Sequence, residues 1–371
     1  LRRQGIEVAR SQRDFSLDEG TFPAGSFVVR LDQPYRNYAV DLLLPQNFPF
    51  DAGHLPYDDV SWALPVHYGV ETIRIDDPRV LEVAIDPVNT DVEVAGRLDG
   101  RGPVFLLADT GQEALLEARY RLAEFSVLIA ETEFTSGSRS YPAGTWILPP
   151  QPELGKALEE VVDDLALEIE SAVDVPDIAH HEAPAPRLGV WVPWADTDSI
   201  GWLRYALDQR GIPYTYLRDE DIRAGDLRDS VDVILYGNVD LDLQGQIHGL
   251  QAVAGPMAFD ATPDSPNLGE PAASTDITGG PGWAGLAALD TFVEDGGTLM
   301  TFGNGSMIAL EGWLVRHVRR AMETGIRTPG VELTTQFSQP DHPLAYGYGD
   351  TPSVFRANFP VYELPRRWLR R

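Results

Sequence analysis

Phe22–Val29 reads FPAGSFVV, and 119 residues later Tyr141–Leu148 reads YPAGTWIL. Pro23, Ala24 and Gly25 recur as Pro142, Ala143 and Gly144. The other five positions are exchanged like for like: Phe22 for Tyr141, Ser26 for Thr145, Phe27 for Trp146, Val28 for Ile147 and Val29 for Leu148. At the same offset Val8 matches Val127 and Phe15 matches Phe134. An internal repeat sets the unit of architecture. Here the unit is a turn, shaped by Pro and by a Gly two residues on, that leads into a buried strand of β-branched and aromatic residues. Upstream, IEVAR (Ile6–Arg10) and FSVLI (Phe125–Ile129) predict a second strand. In the later copy Gln112, Ala114, Leu115, Leu116, Ala118 and Leu122 fall at helix spacing before that strand. In the earlier copy only Leu1–Gln4 stand in that place. The chain therefore reads as beginning inside a unit. Lacking an initiator Met as well, it is expected to be the C-terminal part of something longer.

The 371 residues are enough for two domains with separate cores, and 43% hydrophobic content is ordinary for a globular protein. Without cysteine there is no disulfide, no thiolate metal site and no Cys nucleophile. A net charge of −28 argues against nucleic acid or an anionic membrane as partner. Lys156 is the only lysine, a bias of genome composition rather than of mechanism. No apolar run approaches the ~20 residues that span a bilayer. No signal peptide is visible, and a segment upstream of Leu1 would have carried it.

Residues 1–172 form the repeat-bearing, duplicated α/β region, its first copy truncated. Tyr38–Leu44 predicts a helix ended by Pro45. Pro56–Val70 (PYDDVSWALPVHYGV) predicts an ordered loop packing Trp62 and Tyr68. Val80–Ile85, Asp91–Ala95 and Pro103–Ala108 are strand candidates. Glu153–Ala172 reads as one long amphipathic helix with Leu154, Leu158, Val161, Leu165, Leu167 and Ile169 on its apolar face. Residues 173–186 read as a linker, with Pro176, Pro184 and Pro186 and no periodicity. Its His180-His181-Glu182 suggests a metal site. Adjacent histidines on a strand or helix cannot both reach one ion, and no third ligand stands at a motif spacing, so an exposed linker is the better reading.

Residues 187–346 alternate strand and helix. Leu188–Val192, Tyr214–Leu217, Val231–Tyr236 and Thr298–Phe302 predict strands. Ser199–Gln209, Trp283–Glu294 and a stretch from Ser306 predict helices, with a Gly/Pro/Asp-rich insertion at Gly237–Pro281. Repeated β-α units imply a parallel sheet with right-handed crossovers, and a flavodoxin-like, doubly wound fold is expected. Residues 347–371 read as an irregular tail.

Ligands of such sheets sit beyond the carboxyl ends of the strands. Those ends carry Trp194, Asp196 and Asp198, then Asn238 and Asp240, then Gly303-Asn304-Gly305-Ser306. The last has the strand–Gly-x-Gly–helix shape of a nucleophile elbow, but the residue between the glycines is Asn304, which has no nucleophilic side chain. Ser306 is better read as a helix cap. His342, in Asp341-His342-Pro343-Leu344, could reach the same edge as a general base, but with no assigned partner it reads as structural. No His-Glu-x-x-His is present, and neither Gly279-Gly280 nor Gly296-Gly297 matches a phosphate-binding fingerprint.

VEDGGTLMTFGNGS, EGWLVRHV and DHPLAYGY together resemble the C-terminal region of large bacterial proteins of the zinc carboxypeptidase family. YPAGTWIL, Gln33-Pro34-Tyr35-Arg36, LLLPQNFP and PYDDVSWALPVHYGV resemble the middle region of the same family. The resemblance implies an upstream carboxypeptidase A-like domain and a class I glutamine amidotransferase-like domain near the C-terminus. The family's zinc ligands, an H-x-x-E pair and a later His, have no matching positions here and would lie upstream of Leu1. The amidotransferase cysteine is also unmatched, with Asn304 near its place. The resemblance thus implies a secreted or periplasmic peptidase parent. Zinc is expected in that upstream domain, and no cofactor or metal site in this chain. The chain itself is expected to be a non-catalytic accessory region that packs against, stabilises or restricts access to the peptidase domain.

Two alternatives stand beside that expectation. Trp194, Trp202, Trp283 and Trp313 could include a stacking surface for glycan or peptide, with Asp196 and Asp198 as polar anchors. A cysteine-less hydrolase would use Ser306 and His342.

Overall fold

The computed structural model describes residues 1–45, 51, 53, 54, 63–322, 325, 328 and 330–364. Residues 56–62 of the aromatic loop, Trp62 included, and the Arg-rich end of the tail lie outside the described residues. Tyr68, expected to pack, is exposed. The chain forms two compact units. One comprises Leu1–Gly96, Arg327–Pro340 and Tyr348–Asn358, the other Arg97–Ile326, Asp341–Gly347 and Phe359–Arg371. The expected linker at 173–186 falls inside the second unit.

In the first unit, β1 (Ala9–Ser11), β2 (Phe15–Leu17), β3 (Gly20–Phe22) and β4 (Phe27–Val28) precede α1 (Arg36–Leu43), α2 (Leu64–His67) and β5 (Ile85–Pro87). β2 and β3 are a hairpin. β1 pairs antiparallel with β4 on one side and with β5 on the other. Of the stretch Val80–Ile85 only Ile85 lies in a strand; residues 80–82 belong to a 3-10 turn, Pro78–Glu82, where Asp77 accepts from the Arg79 N–H at its start and Pro78 sets its first φ. A ladder of Val331–Thr334 with Ser353–Arg356 belongs to the same unit, and Glu332 there meets His67 Nε2 at 2.7 Å.

The second unit opens with β6 (Arg97–Asp99), β7 (Val104–Leu107), α3 (Ala114–Arg121), β8 (Leu128–Ala130), β9 (Phe134–Ser136), β10 (Arg139–Tyr141) and β11 (Trp146–Leu148). α4 (Leu154–Leu165), β12 (Glu168–Ala172) and β13 (His180–Glu182) follow. The strands β8 to β11 sit 119 residues after β1 to β4, and the hydrogen bonds repeat with them. Ser11 N–H donates to Ser26 O at 2.9 Å, as Ala130 N–H does to Thr145 O. Gly25 N–H donates to Ser11 O at 2.9 Å and Gly144 N–H to Ala130 O at 2.8 Å. Both glycines are left-handed, φ 87° and 90°, which is why the turn keeps Gly. The Ser26 and Thr145 hydroxyls both donate to the proline carbonyl three residues back at 2.7 Å. Phe15 stacks on Phe22 at 4.9 Å, and Phe134 on Tyr141 at 5.2 Å. The Phe22-to-Tyr141 exchange has a local cause: the Tyr141 hydroxyl donates to Glu170 on β12 at 2.8 Å, and Arg139 joins it there at 2.6 Å.

The duplication reaches further than the matched letters. The Gln33 side chain brackets the backbone of Glu7, accepting its N–H at 2.8 Å and donating to its carbonyl at 3.1 Å. Gln151 brackets Ser126 in the same way at 2.7 and 3.0 Å. Each glutamine precedes a proline and a helix, α1 or α4. β5 lies against β1 as β13 lies against β8, both antiparallel.

Two expectations are corrected in this region. Glu153–Ala172 is not one helix: α4 stops at Leu165, Ala166 reverses the chain at φ 52°, and β12 follows. Ile169 and Ala172 are buried as β12 pairs with β7 and β6. Within 173–186, β13 pairs with β8, whose free backbone edge it completes despite carrying no apolar residue. The sheet runs β13-β8-β11-β7-β12-β6 and is mixed, since β12 and β6 are parallel. Buried Arg119 donates to the carbonyls of Leu122, Phe125 and Ala183, tying the end of α3 to the chain leaving β13.

The rest of the unit holds β14 (Leu188–Trp191), α5 (Asp198–Gln209), β15 (Tyr214–Leu217), α6 (Asp219–Ala224), α7 (Leu227–Ser230) and β16 (Val233–Tyr236). α8 (Leu243–His248), α9 (Gly282–Glu294), β17 (Thr298–Thr301) and α10 (Ser306–Leu310) complete it. The four strands are parallel in the order β15-β14-β16-β17. Val190, Trp191, Ile234, Tyr236, Leu289 and Phe292 are buried between sheet and helices. Each such side chain contributes about 1.5–3 kcal/mol. Gly285 has a packing reason: a Cβ there would meet Pro281 at 2.6 Å and Ile222 at 3.3 Å, so it lets α9 close on α6. No helix among the described residues is long and apolar enough to cross a membrane.

Candidate functional site

The carboxyl ends of β14, β16 and β17 bring several of the expected residues together. Asp196, on the loop after β14, accepts the N–H of Asp240 after β16 at 2.5 Å and that of Asp198 at 3.3 Å. Asn238, two residues past β16, accepts the N–H of Asn304 at 2.9 Å, and its amide group lies 3.5 Å from the Ser199 hydroxyl on α5. Buried Gln246 on α8 donates to the carbonyls of Leu241 and Asn304, both at 3.0 Å. Loops that leave three strands are thus stitched to one another through backbone groups, which must find partners once covered.

The Gly-x-Gly turn has a steric cause. A Cβ on Gly303 would stand 2.4 Å from Asn238 Oδ1, and one on Gly305 would stand 2.2 Å from the Gly237 carbonyl oxygen. Gly303 is the left-handed residue, at φ 54°; Asn304 is not, so the residue between the glycines carries no elbow strain. Ser306 is the first residue of α10 rather than its cap. Its hydroxyl donates to the Gly303 carbonyl at 2.7 Å and lies 3.3 Å from the Tyr362 hydroxyl. His342 is exposed, and its Nδ1 accepts the Leu344 N–H at 3.2 Å, closing its own 3-10 turn. The imidazole serves that turn instead of the Ser306 hydroxyl, so the pairing a hydrolase needs is not formed.

Beneath this rim lies a cluster without a counterpart among the sequence candidates. Trp191 stacks on Tyr236 with ring centres 4.0 Å apart. Asp219, the first residue of α6, is buried and accepts from Trp191 Nε1 at 2.9 Å and from the Trp194 N–H at 3.2 Å. Burial pushes its carboxyl up to about 6, only partly offset by those two donors. Burial also raises the Tyr236 phenol well above its ordinary range, and its hydroxyl has no hydrogen-bond partner among the described residues. In sequence Asp219 opens the acidic run Asp219–Asp221, the ordinary look of a solvated first helical turn. Only its place two residues beyond β15, with Trp191 at the end of the neighbouring strand, marks it.

The tryptophans divide. Trp194 is half-buried, bonded through Nε1 to Glu220 at 2.8 Å and packed on Phe259 at 5.2 Å. Trp283 and Trp313 are exposed, Trp283 edge-on to His248. Trp202 is 71% exposed and Tyr205 55%, their rings edge-to-face at 5.9 Å. Asp198, Trp202 and Tyr205 follow helical spacing along one exposed face of α5.

An open groove of about 560 Å³ lies beside β15, lined by Tyr216, Arg218, Asp221, Gly225 and Pro271–Ala273; none of the rim candidates lines it. His181 Nδ1 lies 3.0 Å from Glu131, while His180 Nδ1 meets the Ile178 carbonyl at 2.9 Å, so the adjacent histidines have separate partners. No group of three or more His, Asp or Glu side chains able to hold a metal ion occurs among the described residues. No protein-family model, characterised protein or solved structure matches the chain.

Proposed function

We propose that this chain is a non-catalytic accessory region of a secreted or periplasmic zinc carboxypeptidase-like protein, and that it packs against or restricts access to a zinc-bearing peptidase domain of the same polypeptide. The observation that carries the reading is the employment of the three chemically suggestive groups at the rim. The Asn304 backbone is held by Asn238, the Ser306 hydroxyl by Gly303 and Tyr362, and the His342 imidazole by its own turn. The parallel sheet belongs, in this reading, to a degenerate amidotransferase-like domain of flavodoxin-like fold. Its strand order, second-first-third-fourth, supports that kinship. The test is to measure zinc and release of C-terminal amino acids from peptides with the purified chain. Zinc well below stoichiometry and no release are expected; stoichiometric zinc with peptide cleavage would sink the proposal.

A second reading rests on the exposed face of α5. Trp202 and Tyr205 offer two aromatic faces beside Asp198, a combination suited to stacking on a sugar ring or a peptide side chain. A specific ligand raises the melting temperature by mass action. A thermal-shift screen with glycans and peptides is expected to show a hit that Trp202→Ala abolishes, and a screen without any shift removes the idea.

A further inference from the structure

Between α8 and α9 the chain makes a long excursion, residues 250–280, that leaves and returns through one neck. Gly249, Gly279 and Gly280 form the neck, all three left-handed, at φ 54°, 86° and 53°. The two ends touch. A Cβ on Gly249 would stand 2.7 Å from the Gly280 nitrogen, and one on Gly280 would stand 2.6 Å from the Ile247 carbonyl oxygen. The Gly279 N–H closes the neck on the Leu250 carbonyl at 2.8 Å. Beyond the neck this strap is tied to itself. Phe259 and Ser274 exchange backbone bonds at 2.8 and 3.0 Å, and the Ile277 N–H donates to the Met257 carbonyl at 2.8 Å. One oxygen of Asp276 accepts the N–H groups of Met257 and Thr278. None of the strap's apolar side chains is buried, and Val253 is 92% exposed. A segment that coheres internally, buries no apolar group and turns on adjacent glycines is built to move as a body.

The strap's anchors converge on one buried carboxyl. Phe259 packs on Trp194 with ring centres 5.2 Å apart, and the Trp194 N–H donates to Asp219. The Ala273 carbonyl accepts from Arg218, the residue before Asp219, at 2.6 Å. The Gly280 carbonyl accepts from Nε of Arg223, one turn along α6, at 3.1 Å. At the neck itself, a Cβ on Gly249 would lie 3.7 Å from Asp219 Oδ2. The groups that bond this carboxyl, Trp191 Nε1 and the Trp194 N–H, are both neutral. Glu220 and Arg223 act on it from its own helix with opposite signs. From the sheet it faces the Tyr236 phenol, which also feels Asp196 on the loop after β14. In the strap Asp276 faces Arg223. His248, at the end of α8, lies edge-on to Trp283, and α9 carries no charged residue before Asp290. A charge on Asp219 is therefore not neutralised while the strap is down, and water reaching it from a lifted strap would relieve it.

We propose that residues 250–280 are a lid over the carboxyl ends of β14 and β15, hinged at Gly249 and Gly279-Gly280, and that Asp219 is its catch. With a proton on Asp219 the lid stays down; with the charge, the lid lifts and water reaches the carboxylate. Lifting takes Phe259 off Trp194 and moves Pro271–Ala273, one wall of the groove beside β15. The sign follows from burial. The closed state raises the carboxyl from 3.8 to about 6, so opening has no help from Asp219 below about pH 4, is favoured increasingly as pH rises, and levels off past about pH 7. The inference stands apart from the accessory reading.

Hydrogen exchange of the Trp191 indole N–H, buried and bonded to Asp219, reads the lid when followed by NMR on the whole chain from about pH 4 to 7. Dividing its rate by that of the exposed Trp202 indole at each pH removes the intrinsic pH dependence of exchange. The quotient is expected to rise about fiftyfold over that range. It is expected to stay flat in Asp219→Asn, which keeps an acceptor for Trp191 and carries no charge. Phe259→Ala strips the strap's ring from Trp194 and is expected to raise the quotient about tenfold at every pH with the same slope. That variant also serves if Asp219→Asn fails to fold. The backbone N–H of Leu235, in β16 with a partner strand on each side, is expected to exchange far more slowly than the indole throughout. A flat quotient in the wild type, an equal rise in Asp219→Asn, or no effect of Phe259→Ala overturns the proposal. So does exchange of Leu235 in step with the indole, which would mean that the whole sheet opens and not the lid.

Discussion

Replacing Asp219 by Asn gives the parallel sheet a measurable pH signature. The wild-type carboxyl is raised from an ordinary 3.8 to about 6 in the folded state. Below about pH 4 it is protonated whether the chain is folded or not. Between about 4 and 6 the folded state holds a proton that the unfolded state has released, so its contribution to stability falls as pH rises. Above about 6 the charge is buried in full, at a cost of about 3 kcal/mol from 1.36 kcal/mol per unit. Asparagine removes that charge and can still accept from Trp191 Nε1. It leaves the Trp194 N–H, 3.2 Å away in the wild type, without an acceptor, which costs about 1 kcal/mol. The variant should therefore be less stable than wild type by about 1 kcal/mol at pH 4 and more stable by about 2 kcal/mol at pH 7. Urea unfolding of both proteins at half-unit steps from pH 4 to 7.5 isolates the effect, because the carboxylates held low by arginine, such as Asp232 beside Arg187, titrate alike in both. A difference in stability that stays flat across this range, or changes in the opposite direction, would refute the burial argument.

Gly303→Ala should destabilise by about 2 kcal/mol, since it combines a left-handed φ with a Cβ driven into Asn238; chemical denaturation measures it. Ser306→Ala should cost about 1 kcal/mol by loss of the Gly303 bond, and in an esterase or amidase assay it should match the wild type, because the hydroxyl serves the turn. Gln33→Ala removes both bonds to the part-buried backbone groups of Glu7 and should cost about 1–3 kcal/mol, whereas Gln151→Ala, whose bonds to Ser126 are open to water, should cost about 1 kcal/mol or less, both read by thermal unfolding.

How far the sequence alone led depended on whether a residue's role left a local mark. The FPAG turn needs Gly at φ near 90° and Pro before it, so its two copies keep the same letters and the hairpin-and-strand unit is legible. The buried strands of the parallel sheet are short apolar runs between helical patterns, and β14 to β17 lie within the stretches that predict them. β12 is hidden because Leu167 and Ile169 prolong the apolar spacing of α4, while the reversal between α4 and β12 is made by Ala166, a residue that signals no turn. β13 carries only His180, His181 and Glu182, and nothing in its own composition asks for a strand; the edge of β8 supplies the reason. The glutamine clamps escaped a fixed-offset comparison because Gln33 and Gln151 are one residue out of step with the strands. At the rim the candidates were legible as residues but not as partners. Asp196 and Asn238 bond to backbone groups of other loops, and only the fold puts those loops side by side.

One unit is written twice, with β11 flanked by β8 and β7 and its counterpart β4 paired with β1 alone among the described residues. Residue-resolved amide exchange of the unliganded chain tests it most directly, by comparing Phe27 with Trp146. Trp146, paired to Leu107, is expected to exchange slower by several orders of magnitude, and Phe27 at nearly the rate of an unstructured chain. Equal and strong protection at both positions would contradict it.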